Sequence, residues 1–383
     1  MTTVAEPTLT PAASVSHVTE IDLDRVAALA PAIERLCALQ TEPTPFHTWE
    51  WLSGWCETFG GEVVTRVVAV WAGEELVGLI PLMSRPRGWA SVVEWLGAGR
   101  SDHAPVLLRP GFEAGAIRAT LEYLHRVPWR IDLLSLRTLQ QPQLATWTAL
   151  GIGGLVHAEE DVSPRVDIDG DWDSYLARKS KKHRGNIRRL LRDQERTPTL
   201  RIECVTAAPA ALQNEIREVE AASWKAVGGS LRMEGPGATF YARFLARFAE
   251  RGWLELWTCR VEARLLAYLI TFRYRERVFY YNGGYRADAE QYTELPPGTL
   301  LIANALKSAH DRGLRSFDFL RGDEPYKALW ASERQPLYHV VVPMGWRGHL
   351  AAAAIQARWR LRRSPAARRV HATITRLVRR RAD

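Results

Sequence analysis

Apolar and polar residues alternate through Val63–Trp71 and again through Leu76–Met83, with the polar turn Ala72-Gly73-Glu74-Glu75 between them. A period of two interrupted by a glycine turn predicts a β-hairpin. Another strand is expected at Val92–Leu96. After a loop from Gly97 to His103 and a helix at Ala114–Arg126, alternation returns at Arg130–Leu136. Upstream, helices are expected at Val26–Leu39 and, rich in tryptophan, at Thr48–Thr58. The first 20 residues, full of Thr, Ala, Pro and Ser, read as a disordered lead-in.

After Pro164 the pattern starts again. One long helix, Trp172–Arg196 with Asp171 as N-cap, is followed by helices at Pro209–Ala226 and Thr239–Arg251. A second hairpin, Leu254–Val261 with Leu265–Arg273, and a third strand, Arg277–Tyr281, come next. Helix Thr299–Arg312 is closed by Gly313 and leads to a strand at Arg315–Leu320. The halves rhyme: Leu76-Val-Gly-Leu-Ile80 returns 190 residues on as Leu266-Ala-Tyr-Leu-Ile270, and Arg130-Ile-Asp132 returns 186 on as Ser316-Phe-Asp318. This is the signature of an internal duplication in a mixed α/β (α+β) protein. The division expected is a lead-in at 1–20, domains at 21–163 and 164–345, and a basic Arg/Ala-rich tail at 346–383.

Composition narrows the class. A chain of 383 residues that is 46% hydrophobic and 25% charged is an ordinary globular protein of about two domains. The net charge of +8 suggests nucleic acid until it is divided: residues 346–383 hold 11 arginines and one acid, so the remainder sums to −2. The four cysteines, 37, 56, 204 and 259, make no metal pair and no disulfide framework, so a reducing cytoplasm is the expected compartment and no metal site is expected. No secretory signal and no apolar run of 18 residues is seen.

Two stretches concentrate chemistry. Strand Arg277–Tyr281 runs into Asn282-Gly283-Gly284-Tyr285, and Pro296-Pro297-Gly298-Thr299 then opens a helix. Free first-turn amides at Thr299, Leu300 and Leu301, together with the helix dipole, would make an anion site. The run Asp318-Phe-Leu-Arg-Gly-Asp-Glu-Pro-Tyr-Lys327 places six ionisable side chains at a strand end. A third stretch, 178–192, holds eight Lys or Arg and His183 with no acid, and reads either as a guide for a phosphorylated acceptor or as a solvated face. The acids around Asp167–Asp173 lack EF-hand spacing, Ser101-Asp102-His103 are only sequence neighbours, and no Walker or dinucleotide fingerprint occurs.

The chain resembles the GNAT-type acyltransferases of the BioF2-like or cellulose-biosynthesis CelD-like group, relatives of the FemAB/FemX transferases. The residues that carry the likeness are Phe46–Leu52, Gly78–Leu82, Leu96-Gly97 with Ser101-Asp102, Tyr175–Arg184 continuing to Arg189, Pro297–Leu301 and Phe317–Lys327. The usual Gly-rich pyrophosphate loop is replaced by Pro297-Gly298-Thr299. The resemblance implies tandem GNAT-like domains in a FemX-like arrangement, with no permanently bound cofactor. It further implies acetyl-CoA or another acyl-CoA as co-substrate and N-acyl transfer to a small-molecule or sugar amine, such as an envelope or polysaccharide precursor.

Implied roles follow. Asp318 or Asp323 would take the amine proton and Tyr326 would protonate the leaving sulfur, with Lys327 and Arg321 binding phosphate or a charged acceptor. Tyr281, Asn282, Gly298, Thr299 and Leu300 would hold the donor. Asp102, Arg184, Arg188, Trp224 and Lys225 would line the acceptor side. The alternatives are a FemX-like enzyme using aminoacyl-tRNA, the one nucleic acid this reading admits, and a non-catalytic binding protein of polysaccharide assembly. The basic tail could place the protein on the inner face of an anionic membrane.

Overall fold

A computed structural model describes residues 14–87, 89–128, 130–227, 231–288 and 294–363. Among these the strands are β1 (His17–Ile21), β2 (Val64–Ala72), β3 (Glu75–Arg87), β4 (Ala90–Trp95), β5 (Leu107–Leu108), β6 (Leu133–Leu139), β7 (Val156–Asp167), β8 (Leu200–Val205), β9 (Leu254–Val261), β10 (Arg264–Tyr274), β11 (Arg277–Tyr285), β12 (Ser316–Asp318) and β13 (Glu333–Pro343). The helices are α1 (Leu23–Val26), α2 (Ala30–Ala38), α3 (Trp49–Phe59), α4 (Glu113–Arg126), α5 (Gln141–Ala149), α6 (Trp172–Ala177), α7 (Lys181–Glu195), α8 (Ala210–Ala221), α9 (Trp224–Val227), α10 (Pro236–Glu250), α11 (Pro297–Asp311), α12 (Pro325–Trp330) and α13 (Trp346–Arg363).

Two compact units result, and neither is a linear stretch. The first comprises the described parts of Met1–Thr41, Val63–Glu160 and Leu337–Asp383, and the second Glu42–Glu62 with Asp161–Pro336. A cut at 163/164 would leave α3 in the first half and all of β13 in the second. Aromatic packing explains where α3 belongs. Trp51 is wholly buried, its ring 5.1 Å from those of Phe240 and Phe244 on α10 and 5.3 Å from Tyr281 on β11. Just before α3, Glu42 accepts from Arg165 and Arg277, fixing the segment to β7 and β11.

The two units repeat one design. The first orders its strands β1-β2-β3-β4-β6-β13 and the second β8-β9-β10-β11-β12-β7. In each, the first four strands pair antiparallel, a crossover carrying a helix (α4, α11) leads to a parallel neighbour, and an antiparallel strand completes the sheet. The duplication read from the sequence is thus visible strand by strand.

Several expectations change. His17–Ile21, placed in the lead-in, pairs with Val67–Trp71 as β1. The single helix at 172–196 breaks between α6 and α7, because the Ser180 hydroxyl accepts from the His183 amide and starts a new helix there. The expected tail begins as helix α13, with Ala352 buried and Ile355 and Trp359 packed against Leu133 and Val341. Residues 364–383 lie outside the described residues. No described helix is long and apolar enough to cross a membrane.

Trp51 gives a test of the division. Trp51→Ala should cost about 3–5 kcal/mol in chemical denaturation, since it empties the centre of the second unit's aromatic core. A loss under about 1 kcal/mol would show that α3 is not part of that core.

Candidate functional site

The parallel strands β11 and β12 of the second unit stay together for only three pairs, Arg277↔Ser316, Val278↔Phe317 and Phe279↔Asp318. Beyond that point β11 follows β10 to Tyr285, while the chain after β12 turns to β7, with the Phe319 amide donating to Pro164 O (2.9 Å) and that of Gly322 to Val162 O (2.9 Å). A gap between strand ends is the result. Asp318 holds the departure: its Oδ1 accepts from Ser163 Oγ (2.6 Å) and from the Leu320 amide (2.7 Å), across a left-handed Leu320 (φ 56°). Lys327, also buried, donates to Arg321 O (2.9 Å) and Leu320 O (3.3 Å) and pairs with Glu324 (2.9 Å). Both side chains are therefore committed to shaping the turn.

On the other edge, β11 carries a bulge. Ile270 faces Asn282 and Thr271 faces Tyr280, so Tyr281 is the extra residue. The insertion sends the Tyr281 side chain into the aromatic core, against Phe272 at 5.2 Å, which leaves its backbone as the part that the expected donor-holding role could use. Asn282 heads a buried polar cluster. Lys225 donates to Asn282 Oδ1, Asn282 Nδ2 lies 3.2 Å from the Tyr268 hydroxyl, and that hydroxyl donates to Glu220 Oε1 at 3.2 Å. Glu220 Oε2 also accepts from the Met233 and Arg232 amides (2.8 and 3.1 Å). Burial pulls the Lys225 ammonium down to about 8, against the Glu220 charge 3.6 Å away. Nearby, the buried Tyr241 hydroxyl has no partner among the described residues.

The opposite face of β11 contributes Tyr280. Its ring lies across Gly283, where a Cβ would come within 2.7 Å of the hydroxyl, and Tyr326 on α12 donates to that hydroxyl at 3.4 Å. Burial pushes Tyr280 up to about 12 and Tyr326 higher still, so both phenols keep their protons at neutral pH. The charge of Glu324, two residues before Tyr326, adds to the upward push on both phenols.

The other expected residues fall variously. At the start of α11 the Leu300 amide already donates to Pro296 O, so of the donor-binding amides only those of Gly298 and Thr299 precede the first helical bond, and the Leu300 side chain is buried. A Cβ at Gly298 would meet the exposed Tyr285 ring at 3.3 Å, close enough that the ring would have to shift slightly. Asp323 is exposed and pairs with Arg334 (2.6 Å), and Arg321 lies 3.9 Å from Asp161. Arg184 caps the end of α6 through Ala177 O, and Arg188 pairs with Asp173. Asp102 is a buried residue of the first unit, and the Trp224 side chain lies outside the described residues. Sequence reasoning did not pick out Glu220 or Tyr268, which reach Asn282 and Lys225 only through folding.

A strand pair parting beside a bulge, with a helix start after the bulged strand, is also where a family match falls. Residues 181–328 match the Acetyltransferase (GNAT) domain family. The whole GNAT stretch lies in the second unit. The chain is similar in structure to FemX, with a TM-score of 0.58 at 11% identity over 86% of this chain and 96% of that one. It is also similar to the C-terminal domain of a putative lysylphosphatidylglycerol synthetase from Agrobacterium fabrum (0.54, 14%, 88% and 96%) and to L-PGS from Bacillus licheniformis (0.50, 13%, 82% and 96%). At such identities the likeness is one of fold, and the fold is the FemX-like one expected from the sequence. No curated protein sequence matches the chain.

The buried lysine sets a pH test. Because its folded value of about 8 lies below its ordinary 10.5, protonating Lys225 disfavours folding, and that penalty disappears as pH rises from 8 to 10.5. Over that window the wild-type protein should gain stability relative to Lys225→Met, with no divergence just below pH 8. Parallel denaturation curves from pH 8 to 10.5 would refute the buried-ammonium assignment.

Proposed function

We propose that the second unit transfers an acyl group from a CoA thioester to an amine, and that the chain sits with the BioF2-like or CelD-like acyltransferases whose motifs it resembles. The observation that carries this reading is the parting of β11 from β12 at Phe279 and Asp318. There, backbone groups of β11 beyond Phe279 have lost their β12 partner and can meet a thioester oxygen as it gains charge. The amides of Gly298 and Thr299, with the α11 dipole behind them, suit the phosphates of the donor.

Proton handling follows from the side chains at the opening. Tyr326 and Tyr280 remain protonated and can hydrogen-bond the departing sulfur. We assign the amine proton to Glu324, exposed and paired with Lys327 (2.9 Å), in place of Asp318, which is buried with its Oδ1 held by Ser163 and Leu320. The cluster of Asn282, Lys225 and Glu220, beside the unpartnered Tyr241 hydroxyl, supplies polar groups for an acceptor such as an amino sugar.

One observation favours a second reading, an aminoacyl-tRNA donor. The cationic α7 lies against the approach to α11, with Arg189 Nη1 3.4 Å from Glu294 O, and a longer phosphate chain could run along it. Calorimetry with acetyl-CoA and longer acyl-CoAs separates the two. Acyl-CoA at 100 times its dissociation constant should stabilise the protein by about 2.7 kcal/mol. No shift with any acyl-CoA, and a shift with charged tRNA, would reverse the order of the readings. In an acyl-CoA assay, Tyr326→Phe and Glu324→Gln should each slow turnover roughly 10²-fold with folding intact. Normal turnover in both would refute the roles given to them.

A further inference from the structure

The helix that closes the first unit has two apolar faces, and among the described residues only one of them is covered. Gly348 and Ala352 are buried, and Ile355 and Trp359 pack with Ala352 on the sheet. At about 100° per residue, Trp346, Leu350, Ala353, Ala354, Ala357 and Leu361 fall in an arc of about 100° on the opposite side. The large members of that arc stand in solvent: Trp346 is 69% exposed, Leu350 56% and Leu361 68%. Three apolar side chains this open on one stripe are too many for an ordinary surface and need a reason.

Charge supplies it. Arg358 and Arg360 stand on either side of the stripe, Arg347 lies over the Trp346 ring at 5.1 Å, and α13 contains no acid. In sequence, residues 346–383 carry 11 arginines against one acid. Next to the start of α13 the turn between β3 and β4 exposes another tryptophan, Trp89, at 56%. The two places are tied together through Asp132: Arg130 bonds both Trp89 O (2.9 Å) and Asp132 Oδ2 (2.8 Å), and the Met344 amide donates to Asp132 O. The carboxyl of Asp132 is held below the usual range by its bonds to Ser91 and Arg130, aided by Arg347.

We propose that this face of the first unit lies on an anionic lipid surface, with the Leu and Ala stripe of α13 dipping into the headgroup boundary. Indole rings prefer that boundary, where one edge is wet and the rest apolar, and arginine stems can lie along apolar material while their heads reach phosphates. A second copy of the chain fits poorly, since two such faces would oppose like charges. Nucleic acid fits poorly too, since an aliphatic stripe offers bases nothing to stack on. The inference is independent of the acyl-transfer reading, which concerns the second unit alone.

The test uses the full chain in flotation with phosphatidylcholine vesicles, with and without phosphatidylglycerol, at low and high salt. Binding should require phosphatidylglycerol and weaken with salt. Replacing Trp346, Leu350 and Leu361 together by Ser should reduce it about tenfold or more, and Arg358→Gln with Arg360→Gln should do so by a comparable factor. All five residues are surface residues, and circular dichroism of both variants checks that folding is kept. The charge variant provides the reading if the triple variant is impaired. Failure of the full chain to float overturns the proposal, as does equal flotation of both variants. Concentration-dependent dimerisation without flotation, or binding of RNA in place of vesicles, abolished by the same substitutions, overturns it in favour of another occupant.

Discussion

Two parallel strands that pair for three residues and then separate are the constraint on which the second unit is built. Separation leaves backbone groups without ladder partners, so something must draw each strand away. For β11 it is the continued pairing with β10. For β12 it is the return to β7, secured by the carboxylate of Asp318 bridging Ser163 and the Leu320 amide, with the Lys327 ammonium gathering the carbonyls of the turn. Asp318 and Lys327, two of the side chains that look most catalytic in the sequence, thus hold the turn after β12 in shape.

The first unit repeats the strand pairing with different side chains. Its parallel pair, β4 with β6, also spans three residues, Val92↔Leu133 to Glu94↔Ser135. Just past that point comes Trp95, buried, with its indole N–H donating to Arg137 O at 3.1 Å. The equivalent region of the second unit presents tyrosine hydroxyls, an amide and a lysine. One backbone plan, copied, thus carries an indole after the parallel pair in one unit and polar side chains in the other.

Much of this was legible along the chain. Both hairpins showed in alternation around a turn, and Lys225, Asn282 and Tyr326 each stood out by local context. Of the strands that were missed, β8 (LRIECV) alternates openly and was passed over, while β7, β13 and β1 are muted by their own residues. β7 (VHAEEDVSPRVD) and β13 (ERQPLYHVVVP) are half exposed or contain proline, which mutes the two-residue period, and β1 is five residues inside a Thr- and Ser-rich stretch. The cluster of Glu220, Lys225, Tyr268 and Asn282 joins positions far apart in sequence through a register that a bulge at Tyr281 alters by one residue. No local pattern announces such a meeting, and none told that Asp318 would serve as a turn cap.

The part of the last strand that pairs with β6, Tyr338–Pro343 of β13, is encoded after every residue of the second unit. During synthesis the ribosome therefore delivers all of the second unit before it delivers the strand that covers the edge of β6. Until then Leu134 and Leu136 lack Val342 and Val340 beside them, leaving an unpaired apolar edge exposed on the growing chain. The unit that matches the GNAT family can mature first, and the unit that carries α13 must wait, so a nascent chain halted near residue 336 would expose a sticky strand and call on chaperones.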